Sequence, residues 1–196
     1  MEIFKIDYEF TLQDFEDMER IEHQYFANEN ITKAEEVLNW YNKNKFTCIG
    51  VRNENDKVIA SVNILPLKKD TFIDIYENKI NEADVVAEQI ERYEDNKEYY
   101  MYLSSISIDK SYRNNYKLVL LLLKGCMELF DIIDSKNIKV NKLMADASTI
   151  HGEKICKKLL NMKFVTNTSH CSKIYCIDGD NLNETFIRLR KLVSKV

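Results

Sequence analysis

Hydrophobic residues alternate with polar ones in some stretches of the chain and recur every three or four positions in others. Alternating or unbroken apolar runs predict strands at residues 2–7, 46–52, 57–67, 99–108, 142–147, 163–167 and 172–177. Helical spacing predicts helices at residues 12–26, from 32 onward, and at 113–135, 148–160 and 182–194. Thr11 and Ser148 are the expected caps of two of these helices, and the spacing Thr32…Glu35 matches a capping box.

Strands 99–108 and 142–147 are joined by a long helix, so we expect them to be parallel neighbours with a right-handed crossover. The remaining strands are expected to pair antiparallel. The element order therefore predicts an α/β (α+β) fold built on a mixed sheet.

Residues 68–97 separate two predicted strands and show helical spacing without an obvious strand. This connection is longer than usual, and long connections in compact domains are often functional. We therefore expect one domain, residues 1–196, with a helical insertion at about 68–97.

Composition narrows the class of protein. The chain has 196 residues, of which 45% are hydrophobic and 31% are charged, as in ordinary soluble domains. The longest apolar run, residues 118–123, is far shorter than the roughly 18 residues of a membrane span. No basic and then apolar segment opens the chain, so we expect a cytoplasmic protein without membrane contact. Five cysteines without a CxxC pair indicate free, mostly buried thiols and no metal site.

Charge is divided between the two halves of the chain. Residues 1–109 hold 12 Lys/Arg against 24 Asp/Glu, whereas residues 110–196 hold 16 against 8. Either the halves meet partners of opposite charge, or two solvated faces differ. The basic half lacks a basic–aromatic motif and a recognition helix, so no nucleic-acid partner is expected.

Candidate chemistry is concentrated where strand 99–108 ends and the next helix begins. The segment runs Ile-Ser-Ile-Asp-Lys-Ser-Tyr-Arg from Ile106 to Arg113, and a polar turn then leads into the apolar residues 118–123. Such a junction presents unpaired backbone N–H groups and the positive end of a helix, which together can hold phosphate.

In this register the chain resembles the GNAT-type N-acetyltransferase family over most of its length. Arg113 takes the first position of the family's Arg/Gln-x-x-Gly-x-Gly/Ala phosphate motif, and residues 120–123 take the place of the leucine-rich helix. A second family signature, a helix and then Gly-Phe, is matched by residues 157–164.

The chain departs from the family pattern at five places. Tyr116 and Leu118 replace small residues, Lys163 replaces the Gly, Leu159 replaces a frequent catalytic Tyr, and Tyr102 or Ser104 occupies the place of a strand carboxylate.

The resemblance implies a six- to seven-stranded sheet with the parallel pair at its centre and helices on both faces. It implies acetyl-CoA, or another acyl-CoA, as co-substrate, and an amine of a small molecule or peptide as acceptor. A bulge in the central strand would free the N–H groups of Ile106 and Ile108 for the donor. The residues expected to bind the donor are Ile106, Ser107, Ile108, Arg113, Asn114, Asn115, Tyr116, Lys117 and Leu118.

Catalytic candidates under this resemblance are Tyr102, Ser104 and His151. A histidine can act as a base near neutral pH, and it can equally be a solvated residue at a helix end. The insertion carries acids that could attract a cationic amine, namely Asp70, Asp74, Glu77, Glu82 and Asp84. The altered phosphate motif leaves a second interpretation open, in which the chain is an inactive acyl-CoA-binding or protein-interaction domain. The sequence does not give the oligomeric state.

Overall fold

The computed structural model describes residues 3–26, 28, 31–169 and 171–194. Within these ranges, seven strands form one sheet in the order β1-β2-β3-β4-β5-β7-β6. The strands are β1 (Lys5–Asp7), β2 (Cys48–Arg52), β3 (Val58–Leu67), β4 (Glu98–Ile108), β5 (Lys139–Ala147), β6 (Lys163–Asn167) and β7 (Lys173–Asp178).

Six α-helices lie between or after these strands within the described ranges. They are α1 (Leu12–Glu22), α2 (Ala34–Lys43), α3 (Lys69–Tyr76), α4 (Tyr116–Ser135), α5 (Ile150–Lys154) and α6 (Gly179–Val193). Helix α5 continues as a π-helix over Ile155–Leu159. Single 3₁₀ turns lie at Lys45–Thr47, Glu82–Asp84, Ala87–Gln89 and Lys110–Tyr112. Within the same ranges no helix combines the length and apolarity needed to cross a membrane.

The parallel pair predicted from the sequence lies at the centre of the sheet. Strand β4 pairs with β5 in parallel, and every other strand pair in the described sheet is antiparallel. The prediction of a mixed α/β sheet flanked by helices is therefore confirmed.

Each face of the sheet is covered by a different set of helices. The face called here the α4 face packs against α4 and α6, whose apolar residues join the larger core cluster. The first half of α4 is strongly apolar because Leu118 and residues 121–123 are buried in this core. Towards its other end, α4 packs on α6, where the ring centres of Phe130 and Phe186 are 4.1 Å apart. The opposite face, called the α3 face, packs against α1, α2 and α3. A site at the centre of the sheet therefore has two separately built sides.

The structure corrects two helix starts. Thr11 caps α1 with a full capping box, as predicted. Thr32 does not cap α2, because Glu19 of the neighbouring helix accepts the N–H of Ala34 at 2.8 Å. The Glu19 carboxylate, brought there by the packing of α1 on α2, thus caps the positive end of α2. Thr149, rather than Ser148, caps α5 by accepting the N–H of Gly152 at 3.0 Å.

The segment at 68–97 is less helical than its spacing predicts. Only α3 forms a regular helix, and the rest consists of turns, including two 3₁₀ turns. The Trp40 indole donates to the Val85 carbonyl oxygen at 3.2 Å, and Ile90 forms a β-bridge with Leu67. These contacts attach the segment to the α3 face.

All five cysteines are free, and four of them are buried, as the sequence indicated. Within the described residues, no group of three or more His, Cys, Asp or Glu side chains is arranged to hold a metal ion.

Candidate functional site

The two central strands separate towards their carboxyl ends. Strands β4 and β5 pair up to Leu103 and Ala145. Beyond that point β4 stays with β3 as far as Ile108, and β5 stays with β7 as far as Ala147. A gap therefore opens in the sheet from Ser104 onward.

A β-bulge lies at the start of this gap. Ser105 pairs with Asn63 and Leu103 pairs with Ile64, so Ser104 is an extra residue in β4. Both serines are consequently directed to the α3 face, where the Ser104 hydroxyl donates to Glu82 and the Ser105 hydroxyl donates to Glu22. The expected bulge in the central strand is present.

The bulge also sets the direction of the next backbone groups. The N–H of Asp109 donates to the carbonyl oxygen of Ile59 in β3 at 2.8 Å. Because antiparallel strands alternate the side of their hydrogen bonds, the backbone groups of Ile106 and Ile108 are directed to the gap. In agreement, the Tyr25 hydroxyl donates to the Ile108 carbonyl oxygen at 2.6 Å. The side chain of Ser107 is buried on the α3 face, where its hydroxyl lies 3.1 Å from the hydroxyl of Ser61.

A large apolar cavity, called the α4-face cavity, lies beneath the gap. Its volume is about 440 Å³. Its walls are mainly aliphatic and come from β3, β4, β5, α4, α5 and the π-helix. They include Val62, Leu103, Ile106, Ile108, Val119, Leu122, Leu123, Cys126, Ala145, Ala147, Ile155, Cys156 and Leu159. Arg113, Asn114 and His151 also line this cavity, and all three are exposed. They therefore mark its mouth.

The strand–helix junction at the mouth is partly satisfied by its own chain. Asn115 caps α4 by accepting the N–H of Lys117 at 3.2 Å. Three further N–H groups donate to the carbonyl oxygen three residues earlier in the chain. These are the N–H groups of Arg113, Asn115 and Leu118. Of the six amides at 113–118, those of Asn114 and Tyr116 have no partner among the described residues. Of these six backbone amides, two are therefore available to donate to a phosphate.

Five of the nine residues expected to bind the donor do not line this cavity, namely Ser107, Asn115, Tyr116, Lys117 and Leu118. Leu118 is fully buried in the core, and Tyr116 is 62% exposed on the surface. The Lys117 ammonium lies 5.6 Å from the centre of the Phe4 ring. The large residues at the family's two small positions therefore leave the cavity open.

A second, smaller cavity, called the α3-face cavity, lies on the opposite side of the gap. Its volume is about 70 Å³. Three carboxylates line it: Glu22 from the end of α1, Glu82 from a 3₁₀ turn and Asp146 from β5. The other lining residues are mostly polar, namely Phe26, Asn81, Ala83, Tyr102, Ser104, Ser105, Ser148 and Ser172.

Glu82 is held by two hydroxyl donors. The Tyr102 hydroxyl donates to its Oε2 at 3.1 Å, and the Ser104 hydroxyl donates to its Oε1. Burial raises the pKa of Glu82 to about 7, although both hydroxyl groups act in the opposite direction. Burial, together with the charge of Glu82, likewise raises the pKa of Glu22 to about 7. Both carboxyls thus titrate near neutral pH, as a general base requires.

The two cavities share part of their walls. Phe26, Ser104, Ser105, Asp146 and Ser148 line both of them. A group held in the α4-face cavity can therefore meet a group held in the α3-face cavity through the gap between β4 and β5. The arrangement suits a transfer between two bound molecules.

The structure separates the three catalytic candidates. Tyr102 and Ser104 meet at Glu82 in the α3-face cavity, whereas His151 lies on the first turn of α5 at the mouth of the other cavity. The sequence had indicated Glu82 only as one of five candidate acids among the nine acids of the insertion. The other four, Asp70, Asp74, Glu77 and Asp84, do not line either cavity. Glu22 and Asp146 carried no sequence signal, because Glu22 is one of several acids on α1 and Asp146 is a single acid in β5.

Comparison with known proteins identifies the fold. No protein-family model matches the chain, and no curated protein matches it. The GNAT-like decarboxylase GphF, in complex with isobutyryl-CoA, matches with a TM-score of 0.59 and 8% identity, over 90% of this chain and 98% of that chain. The loading GNATL domain of CurA from Lyngbya majuscula gives a TM-score of 0.56 and 9% identity, over 91% and 98%. FeeM, an N-acyl amino acid synthase from uncultured soil microbes, gives 0.55 and 8%, over 97% and 98%. The chain has the GNAT fold.

Proposed function

We propose that this GNAT-fold chain is an N-acyltransferase that moves an acyl group from an acyl-CoA thioester to an amine. The observation that carries the proposal is the meeting of an apolar cavity and an acidic cavity at the gap between β4 and β5. In this proposal the α4-face cavity takes the donor, and the α3-face cavity takes the acceptor.

Several features of the α4-face cavity fit an acyl-CoA. Its aliphatic walls suit the pantetheine arm and the acyl group. The backbone N–H groups of Ile106 and Ile108, directed to the gap, are donors for amide and thioester oxygens. At the mouth, Arg113 and the free amides of Asn114 and Tyr116 supply positive charge and donors for phosphate. GphF, which shares the fold, is known in complex with isobutyryl-CoA.

The α3-face cavity fits a cationic amine. Its three carboxylates attract a protonated amino group, and the surrounding hydroxyls of Tyr102, Ser104 and Ser105 offer hydrogen-bond partners. Its small volume of about 70 Å³ fits the amino end of an acceptor rather than a whole large molecule. A small-molecule amine and a peptide amine both meet this requirement.

Glu82 is the proposed general base. As a carboxylate it takes a proton from the ammonium group, which leaves a neutral amine nitrogen with a free electron pair. That nitrogen forms a C–N bond with the thioester carbon, the C–S bond breaks, and the electron pair leaves with sulfur. The extra proton on the nitrogen then passes to this sulfur, so the products are a neutral amide and the CoA thiol. In this scheme the N–H of Ile106 donates to the carbonyl oxygen during the step and stabilises its negative charge.

Two effects supply the rate in this scheme. Holding both reactants at one gap lowers the barrier by up to about 7–11 kcal/mol. General-base catalysis adds a factor of about 10²–10⁴. His151 lies on the donor side, so we assign it to donor binding rather than to proton removal.

We infer that the reaction occurs in the cytoplasm, without a nucleic-acid or membrane partner and with acetyl-CoA among its donors. The support comes from the sequence: no apolar segment has the length of a membrane span, and the basic half has no recognition motif.

Donor binding and turnover can be tested separately. Thermal unfolding is measured with CoA, acetyl-CoA and a longer acyl-CoA, and thiol release is then followed with a panel of small amines and peptides. A ligand at 100 times its Kd should stabilise the protein by about 2.7 kcal/mol. We expect stabilisation by each CoA species and thiol release that depends on the amine.

Two outcomes would contradict parts of the proposal. The absence of stabilisation by every CoA species would exclude the donor assignment. Stabilisation without thiol release over a broad amine panel would favour the inactive acyl-CoA-binding alternative.

A further inference from the structure

The α4-face cavity extends deeper than the point where the two cavities meet. The shared wall lies at Ser104, Ser105, Asp146 and Ser148, above the last paired residues of β4 and β5. The cavity continues below this level to a region called here the deep end. The deep end is walled by Leu103, Ala145, Cys126, Cys156 and Leu159.

Helix geometry supports this depth. Cys126 lies ten residues after the start of α4, which places it about 15 Å along the helix axis from the mouth. Leu159 closes the π-helix that continues α5 on the other side of the cavity. Leu103 and Ala145 form the last pair between β4 and β5, just below the gap. A donor whose reacting carbon lies at the gap therefore has space beneath it.

The chemistry of the deep end selects an apolar occupant. Its five wall residues are aliphatic or thiol side chains, and none of them carries a charge. Burial raises the pKa of the Cys126 and Cys156 thiols to about 12, so both remain neutral. A cavity with such walls stays dry and binds apolar groups. An acetyl group has one methyl and cannot use this space.

We propose that the preferred donor carries an acyl chain longer than acetyl, with its hydrocarbon tail in the deep end. This inference rests on the proposed function, because it assumes that the donor enters the α4-face cavity. Each methylene moved from water into apolar surroundings strengthens binding about fourfold. A hexanoyl chain, with four more methylenes than acetyl, should therefore bind at least about tenfold more tightly even if its fit is incomplete.

The test measures Kd by calorimetry for CoA, acetyl-CoA, butyryl-CoA and hexanoyl-CoA, without acceptor. Affinity should rise along the series from acetyl to hexanoyl. Equal affinities for acetyl-CoA and hexanoyl-CoA, within about twofold, would overturn the chain-length inference and leave the proposed function standing. Failure of all four to bind would overturn both.

Variants of the cavity wall test where the acyl chain of the donor lies. Cys126→Leu adds bulk at the deep end and should reduce the ratio of hexanoyl-CoA to acetyl-CoA affinity to near one. Ile132→Phe adds bulk on the outer side of the same helix, where Ile132 is exposed, and should leave the ratio unchanged. If Cys126→Leu does not fold, Cys156→Leu fills the same region from the opposite wall. A full hexanoyl preference in a folded deep-end variant would overturn the placement.

Discussion

The two cavities that meet at the centre of the sheet are built in opposite ways. The α4-face cavity is about 440 Å³, and aliphatic residues of β3, β4, β5, α4 and the π-helix form most of its walls. The α3-face cavity is about 70 Å³ and collects three carboxylates from α1, the insertion and β5. The first side recognises its ligand by shape and apolar area, and the second by charge. Changes in volume should therefore affect one side, and changes in charge or pH the other.

The largest expected effect is on the acidic side, at Glu82. Glu82→Gln keeps the shape of the side chain and its contacts with Tyr102 and Ser104, and it removes the ability to take a proton. We expect kcat to fall by about 10²–10⁴, because that is the usual contribution of a general base. Acyl-CoA affinity, measured by calorimetry, should be unchanged.

Glu88→Gln is the matched control for this change. Glu88 lies in the same segment but is exposed and does not line either cavity. A comparable loss of kcat in both variants would contradict the role of Glu82. In the unmodified protein, kcat/KM should rise with pH up to about 7, where Glu82 loses its proton.

The next effect is on the donor side, at the mouth. Arg113→Glu places a negative charge where phosphate is expected, and charge-assisted hydrogen bonds contribute about 1.5–3 kcal/mol. CoA affinity should fall about tenfold or more at low salt, with a smaller loss at high salt. Lys163→Glu, an equal charge change on exposed β6, should leave CoA affinity nearly unchanged. Equal affinities for the Arg113 variant and the unmodified protein would remove Arg113 from the donor site.

The contrast between the two sides also explains what the sequence could predict. The donor side is local: strand β4, a polar turn and α4 follow one another, so periodicity located the junction at Ile106 to Arg113. The acceptor side is non-local, because Glu22, Glu82 and Asp146 come together only when the sheet forms. The sequence indicated Tyr102 and Ser104 as positions on β4 and Glu82 as an acid of the insertion, but it did not predict that they contact one another. The mistaken Thr32 cap has the same origin, since Glu19 reaches α2 through tertiary packing.

Raised carboxyl pKa values on the acidic side also make stability depend on pH. Burial raises the pKa of Glu82 to about 7 in the folded protein, from an ordinary value of 4.5. Between these values the folded state binds more protons than the unfolded state, so the free energy of unfolding falls as pH rises from about 4.5 to 7. Glu82→Gln removes this pH-dependent loss. From pH 5 to pH 8, the free energy of unfolding of the variant should therefore fall by about 1–2 kcal/mol less than that of the unmodified protein, a figure that allows for solvent screening.

Urea unfolding at pH 5 and pH 8 measures this difference. Glu88→Gln again serves as the control and should show the same pH dependence as the unmodified protein. An identical pH dependence for the Glu82 variant would mean that Glu82 is already charged at pH 5 in the folded protein.

The smallest expected effect is at Tyr116, the large residue at a position where the family has a small one. Its side chain is 62% exposed and does not line the α4-face cavity, so only its backbone N–H is available to the donor. Tyr116→Ala should therefore change CoA affinity by no more than about twofold, as for other surface substitutions. Markedly tighter binding in calorimetry would show that the ring covers the phosphate position. Unchanged binding would show that an altered motif can keep its function, because the backbone and not the side chain contacts the donor there.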